Sequence, residues 1–130
     1  MSKLLLFFVL TAAAFAGDIR KGGSLIGSIS PSGDVRLHGS LVGQIEPDGD
    51  IRVRGSLVGK IEADGSIRKN GSLVGKVERG GDVRVNGSLA GKVESAGDIR
   101  KNGSLVGKVE GVPATHAAVI FFWDFFQLER

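Results

Sequence analysis

The sequence predicts an all-β fold: a closed antiparallel barrel of six 16-residue hairpin repeats, about twelve short strands, around a hydrophobic C-terminal α-helix. Three observations lead there. The chain repeats itself with a period of 16 residues, so that IRKNGSLVGKVE stands at 67–78 and again at 99–110. Turn-forming residues recur every few positions, with 21 Gly in 130 residues, which disfavours helix throughout the repeats. A single Phe-rich run follows the point where the period stops, at Gly111-Val112-Pro113.

The first element, residues 1–16, reads as a secretory signal peptide. Lys3 supplies a short positive region and Leu4 to Leu10 an apolar one, and Ala14-Phe15-Ala16 places small residues where a signal peptidase cuts. A buried first strand or a membrane anchor is the competing reading, but about a dozen apolar residues are too few for a bilayer core of roughly 30 Å. Cleavage after Ala16 would leave a chain that begins on the first repeat.

Residues 17–112 hold the repeats, six units that start at Gly17, Gly33, Gly49, Gly65, Gly81 and Gly97. Every unit has Gly first, Arg fourth, Gly seventh, Ser eighth, Leu ninth and Gly eleventh, so six places share nearly one physical environment. Two turn signals occur in a unit. Asn70-Gly71 is of the first kind and Ala63-Asp64-Gly65 of the second, and both suit tight hairpins because Asn and Gly tolerate positive φ. Between them lie a short strand such as Asp-Ile-Arg-Lys at 98–101 and a longer one such as Ser-Leu-Val-Gly-Lys-Val-Glu at 104–110. Two-residue loops would put Ile67 and Leu73 on opposite faces. Three-residue loops with a Gly bulge keep Ile67, Leu73, Gly75 and Val77 together and send Arg68, Ser72, Lys76 and Glu78 to the other side. The second register separates apolar from polar residues and is the expected one. It sets Lys60 near Arg68, with Glu62 as a diagonal partner that offsets the repulsion.

An open meander of twelve strands would leave two edges exposed, and closure removes both. Such a barrel is roughly 20 Å across between backbones, too wide for Leu and Ile to fill when Gly75 and its equivalents leave the wall bare. The last element, residues 113–130, is the natural plug. Phe121, Phe122, Trp123, Phe125 and Phe126 cover all sides of a helix, and a helix that is apolar all round is buried. From Ala114 to Leu128 it would run roughly 22 Å. The expected core is therefore Leu25, Leu41, Leu57, Leu73, Leu89, Leu105, Gly75 and these five aromatic residues. The rival fold is a β-solenoid, in which units pair in parallel and the tail caps one end. Hairpin-type turns at both ends of each unit argue against it.

Tandem units of the form D-I-R-K-N-G-S-L-V-G-K-I-E, an optional signal peptide and a Phe-rich tail resemble the β-flower proteins. These are shallow symmetric barrels of repeated hairpins, similar to the Tubby C-terminal and phospholipid-scramblase barrels that enclose a hydrophobic helix. The likeness spans the six repeats and the tail. It implies the barrel around a central helix. It implies no site, since the lipid-binding residues of the Tubby group have no matching motif here.

Little in the chain points to catalysis. A formal net charge of +3 is too balanced for a nucleic-acid footprint, and the absence of Cys removes thiol chemistry and thiolate metal sites. The Ser column (Ser24 to Ser104) lacks a recurring base, since His38 replaces a turn Asn and His116 starts the tail. Asp48-Gly49-Asp50 superficially resembles a calcium loop but lacks the remaining ligands. Asn-Gly-Ser at Asn70, Asn86 and Asn102 matches a glycosylation pattern that turn chemistry already explains. Arg20, Arg36, Arg52, Arg68, Arg84 and Arg100 form a belt, read first as a solvated face with cross-strand pairs and second as contacts to anionic headgroups. Asp124, set between Trp123 and Phe125, belongs near a rim or a basic partner. The expectation is a non-enzymatic module exported to the periplasm or secreted in bacterial fashion, without cofactor, metal or nucleic acid, its oligomeric state open with a monomer favoured. Its expected partner is a lipid or membrane surface, met through its surface or its hydrophobic tail. The alternative is a structural or adhesive repeat protein without lipid affinity.

Overall fold

The computed structural model describes residues 16–128. The expected signal peptide, residues 1–16, falls outside the described residues except for Ala16. Twelve strands alternate short and long: β1 (Gly17–Lys21), β2 (Ser24–Ile29), β3 (Asp34–Leu37), β4 (Ser40–Ile45), β5 (Asp50–Val53), β6 (Ser56–Ile61), β7 (Ser66–Lys69), β8 (Ser72–Val77), β9 (Asp82–Val85), β10 (Ser88–Val93), β11 (Asp98–Lys101) and β12 (Ser104–Val109). A helix, α1 (Ala114–Phe121), follows. The strands close into one barrel in sequence order, with β1 against β12. All neighbours pair antiparallel, which excludes the solenoid. At the seam Ile19 faces Val109 and Lys21 faces Gly107, the same register that joins β6 to β7 through Ile61–Ile67 and Gly59–Lys69. The junction of first and last repeat is thus an ordinary repeat contact, which is why the ring closes without strain.

Each hairpin uses a two-residue turn with a bulge just beyond it, a combination of the two registers weighed above. Asn70 and Gly71 have φ of 51° and 86°, the left-handed pair that a type I′ turn needs and that Asn and Gly adopt most cheaply. Lys69 then faces Ser72, Arg68 faces Leu73, and Ile67 faces Gly75, so Val74 is the extra residue of a β-bulge. The second turn has the Gly65 N–H donating to the Glu62 carbonyl at 2.9 Å, with Gly65 at φ +93° beside the Val77 carbonyl. A Cβ at Gly65 would meet that oxygen, so both the conformation and the space require glycine.

The position of the bulge corrects the core. The leucine column, Leu25, Leu41, Leu57, Leu73, Leu89 and Leu105, is not core: each side chain is 49–57% exposed. The bulge lies after the leucine rather than before it, so Leu73 shares the outer face with its partner Arg68. Only beyond Val74 does the chain return Gly75 and Val77 to the inside. The lumen is lined instead by two sets of β-branched residues. Ile19, Val35, Ile51, Ile67, Val83 and Ile99 are fully buried, and Ile29, Ile45, Ile61, Val77, Val93 and Val109 nearly so. Such side chains favour strands and pack well on a pleated wall.

The tail fills the lumen, but less of it is helical than expected. The helix stops at Phe121, and Phe122 is extended while Trp123, Asp124 and Gln127 take φ of 67°, 55° and 54°. The 113–130 helix is therefore corrected to eight residues, about 12 Å long, followed by an irregular run. Phe121, Phe122, Phe125 and Phe126 are 4–6% exposed and, as expected, belong to the core, with Trp123 half-buried beside them.

Replacing Ile67 with Ala is predicted to lower the unfolding free energy by about 3 kcal/mol, as for other fully buried branched residues. Leu73→Ala is predicted to cost less than about 1 kcal/mol, as an outer-face change does. Urea denaturation followed by circular dichroism separates the two, and equal losses would contradict the placement of the bulge.

Candidate functional site

The two ends of the barrel differ in chemistry. At the end formed by the Asn-Gly turns, the column five residues into each repeat is Lys21, Leu37, Val53, Lys69, Val85 and Lys101. Period-two alternation from Ile67 turns Lys69 inward, over the plug. Its ammonium donates to the Trp123 carbonyl at 2.7 Å and lies 5.2 Å from the centre of the Phe125 ring. Lys101 stands likewise 5.1 Å over Phe122. These lysines hold the aromatic run by hydrogen bond and cation–π attraction. They were missed in the sequence, although the alternation that placed Ile67 inside also places Lys69 there.

Below them the aromatic run meets the wall glycines in order. Phe121 lies against Gly107, Phe122 against Gly91, Trp123 against Gly75, Phe125 against Gly59 and Phe126 against Gly43. A Cβ on Gly75 would come within 2.5 Å of the indole, and one on Gly59 or Gly43 within 2.6 Å of its ring. Gly27, the sixth, is covered by Leu37 of the next repeat. An α-helix rotates about 100° per residue, whereas neighbouring repeats lie a sixth of a turn apart. A continued helix would overshoot the glycines, and the left-handed residues Trp123 and Asp124 let the chain follow the wall. The Trp123 indole N–H donates to the Val74 carbonyl at 3.1 Å, so the bulged residue that follows Leu73 also supplies an acceptor inside. Asp124 is the residue skipped between Trp123 and Phe125, and it is exposed at the rim.

Outside this end run the six leucines, each beside an arginine of the belt. The belt is largely neutralised. Arg52, Arg68, Arg84 and Arg100 pair with Glu46, Glu62, Glu78 and Glu94 at 2.8–3.3 Å, while Lys60 reaches Asp50 at 3.2 Å. The diagonal Arg68–Glu62 pair expected from the sequence is formed, and it separates Lys60 from Arg68 electrostatically. Arg20 and Arg36 are exposed and make no ion pair among the described residues. Ser30 stands where the later repeats have Glu, and Glu110 turns to Lys108 at 3.0 Å, raising the lysine pKa.

The opposite end carries the acidic turns and the start of α1, whose Ala114 and Thr115 border a cleft of about 590 Å³ with Asp64, Lys76 and Glu78. There the Ser66 backbone N–H donates to the Asp64 carboxylate at 2.9 Å and holds its pKa low. Glu46, Asp48 and Asp50 gather their carboxylates within 4.8 Å of one another. Arg52 and Lys60 already occupy Glu46 and Asp50, and the Asp48 carboxylate accepts the Asp50 N–H at 3.1 Å. The serines of the recurring column lie exposed at the starts of the long strands. His38 and His116 lie at opposite ends, the first in an Asn-Gly-type turn with φ of 53° and the second near the acidic end. Among the described residues the fold does not bring these two histidines together.

Burial lowers the His116 pKa from 6.5. The unfolded chain therefore takes up a proton that the folded barrel resists, so stability is full above about pH 6.5 and falls as the pH drops below it. His116→Gln is predicted to flatten the melting temperature between about pH 7 and 5, and an unchanged slope would contradict the burial of this ring. No family model, curated protein or solved structure matches the chain.

Proposed function

We propose that this chain is a non-enzymatic, exported binding module that attaches to a membrane or envelope surface through its outer leucine ring. The carrying observation is that ring: six large apolar side chains, 49–57% exposed, at one level of an otherwise charged wall. Single exposed leucines are ordinary, but a regular ring of them marks a contact surface. Burying the exposed half of each contributes about 1 kcal/mol, hence about 6 kcal/mol if all enter the interface together. Ion pairs such as Arg68–Glu62 lie next to the ring and are costly to bury in hydrocarbon. They favour shallow contact by one end over passage through a bilayer. Among the described residues no helix is long and apolar enough to cross a membrane.

The tail is the weaker route. Its rings occupy the glycine wall, and withdrawing them would empty the lumen. The same observation favours the second reading, a structural repeat protein in which the aromatic run is core alone and lipid affinity is absent.

Vesicle co-sedimentation distinguishes the two. The triple variant Leu25→Ser, Leu41→Ser, Leu57→Ser is predicted to bind at least 10-fold more weakly than the parent, since about half of the ring's roughly 6 kcal/mol is removed. Its melting temperature should stay within a few degrees of the parent. Equal binding by parent and variant would remove the leucine ring from the contact, and no binding by either would sink the lipid reading.

A further inference from the structure

We propose that the leucine ring has a phosphate-facing arc, formed by Arg20, Arg36 and Arg54 on the first three repeats, and that it seats on the phosphate headgroups of anionic lipids. The inference rests on the lipid reading above and adds the lipid class and the side of the barrel that engages it.

The six repeats are alike in shape but not in charge. In repeats three to six the belt arginines are neutralised by Glu46, Glu62, Glu78 and Glu94. Repeats one and two break the pattern, because Ser30 replaces the glutamate that Arg36 would use and Glu110 is drawn to Lys108 rather than to Arg20. Arg20 and Arg36 are cross-strand partners of Leu25 and Leu41, so each exposed guanidinium stands directly beside an exposed leucine. Arg54 continues the arc. It occupies the turn position held by Asn in repeats four to six, has φ of 51°, and is exposed directly after Val53 and two residues before Ser56, where the strand of Leu57 starts.

The acids nearest the arc lie behind it, on the side of the acidic turns. Asp34 lies two residues from Arg36 toward the acidic end and accepts a hydrogen bond from Gln44 at 2.7 Å. Asp18 has the equivalent place in the first repeat. Both are set back from the Asn-Gly turns, while the seven acidic turn residues from Glu46 to Glu110 crowd the far end. Charge therefore orients the barrel, with the basic arc and its leucines toward the bilayer and the acidic turns away from it. Arginine suits the task because its planar fork matches phosphate oxygens in pairs, and the adjacent leucine reaches the acyl boundary beneath them. Asp124, exposed at the centre of the same end, opposes the attraction.

Flotation or co-sedimentation with two vesicle types provides the test: phosphatidylcholine alone, and phosphatidylcholine with one third phosphatidylglycerol. The full chain is expected to prefer the anionic vesicles, and the preference should shrink as salt rises. At roughly five-fold per arginine, Arg20→Gln, Arg36→Gln, Arg54→Gln together should remove about 100-fold of affinity for anionic vesicles at low ionic strength. Affinity for neutral vesicles should scarcely change. The matched triple Arg68→Gln, Arg84→Gln, Arg100→Gln should stay near the parent, and Asp124→Asn should bind more tightly. Circular dichroism of each variant confirms that it is folded. Equal binding to both vesicle types, or equal loss from both arginine triples, would overturn the arc while leaving leucine-driven attachment intact. Binding to neither vesicle type would overturn the lipid reading itself. Pelleting without vesicles would identify another copy of the chain as the occupant and overturn both.

Discussion

The structure depends on one geometric constraint: a ring of twelve short strands is too wide for its own side chains to fill. Isoleucine and valine on the inner wall cover two levels of the lumen, but each repeat leaves a bare glycine at the third. The tail resolves this with one aromatic ring per glycine over five repeats and Leu37 over the sixth. Each partner covers the apolar surface of the other. An unplugged ring would expose its apolar wall to water, and an isolated aromatic run of this length has no means of hiding its rings. The glycines are useful because they have no side chain, and the aromatics because five of them come in six consecutive residues.

A second constraint follows from the turns. The type I′ geometry at Asn70-Gly71 places Leu73 opposite Arg68 and hence outside. Recovering the inward face for Gly75 and Val77 takes one extra residue, the bulged Val74. That residue is also a connector. Its carbonyl accepts the N–H of Asn86 in the next turn at 3.0 Å, and equivalent bonds tie Asn70 to Val58 and Gly22 to Val106 across the seam. The device that closes each hairpin therefore fastens it to its neighbour and leaves a leucine on the outer wall. The exposed ring is a by-product of local turn chemistry before it is anything else, and binding uses what the turn makes available.

Much of this was legible from spacing. The period, the antiparallel pairing, the closure and the need for a plug follow from repeated turn signals and from the count of apolar residues. The leucine column was not legible, because a bulge before Leu73 and one after it give the same composition and opposite faces. One signal was present: Ile and Val fill the truly inward columns, and strands favour branched side chains over Leu on a packed wall. The length of α1 was not legible either. A run such as Val119–Phe126 satisfies helical burial, and only the sixfold placement of the glycines shows why the chain must leave the helix. The broken charge symmetry at Ser30 and Arg54 stands in the sequence, yet it acquires meaning only when Arg20 and Arg36 are seen without a carboxylate partner among the described residues.

The single Trp123 offers the most direct check on one ring per glycine. In a nuclear Overhauser experiment its indole protons should contact the α-protons of Gly75, with the indole N–H bonded inside the barrel to Val74. Contacts spread over several glycines, or an indole exposed to water, would contradict the seating of the aromatic run on the glycine wall and with it the explanation for how the ring is filled.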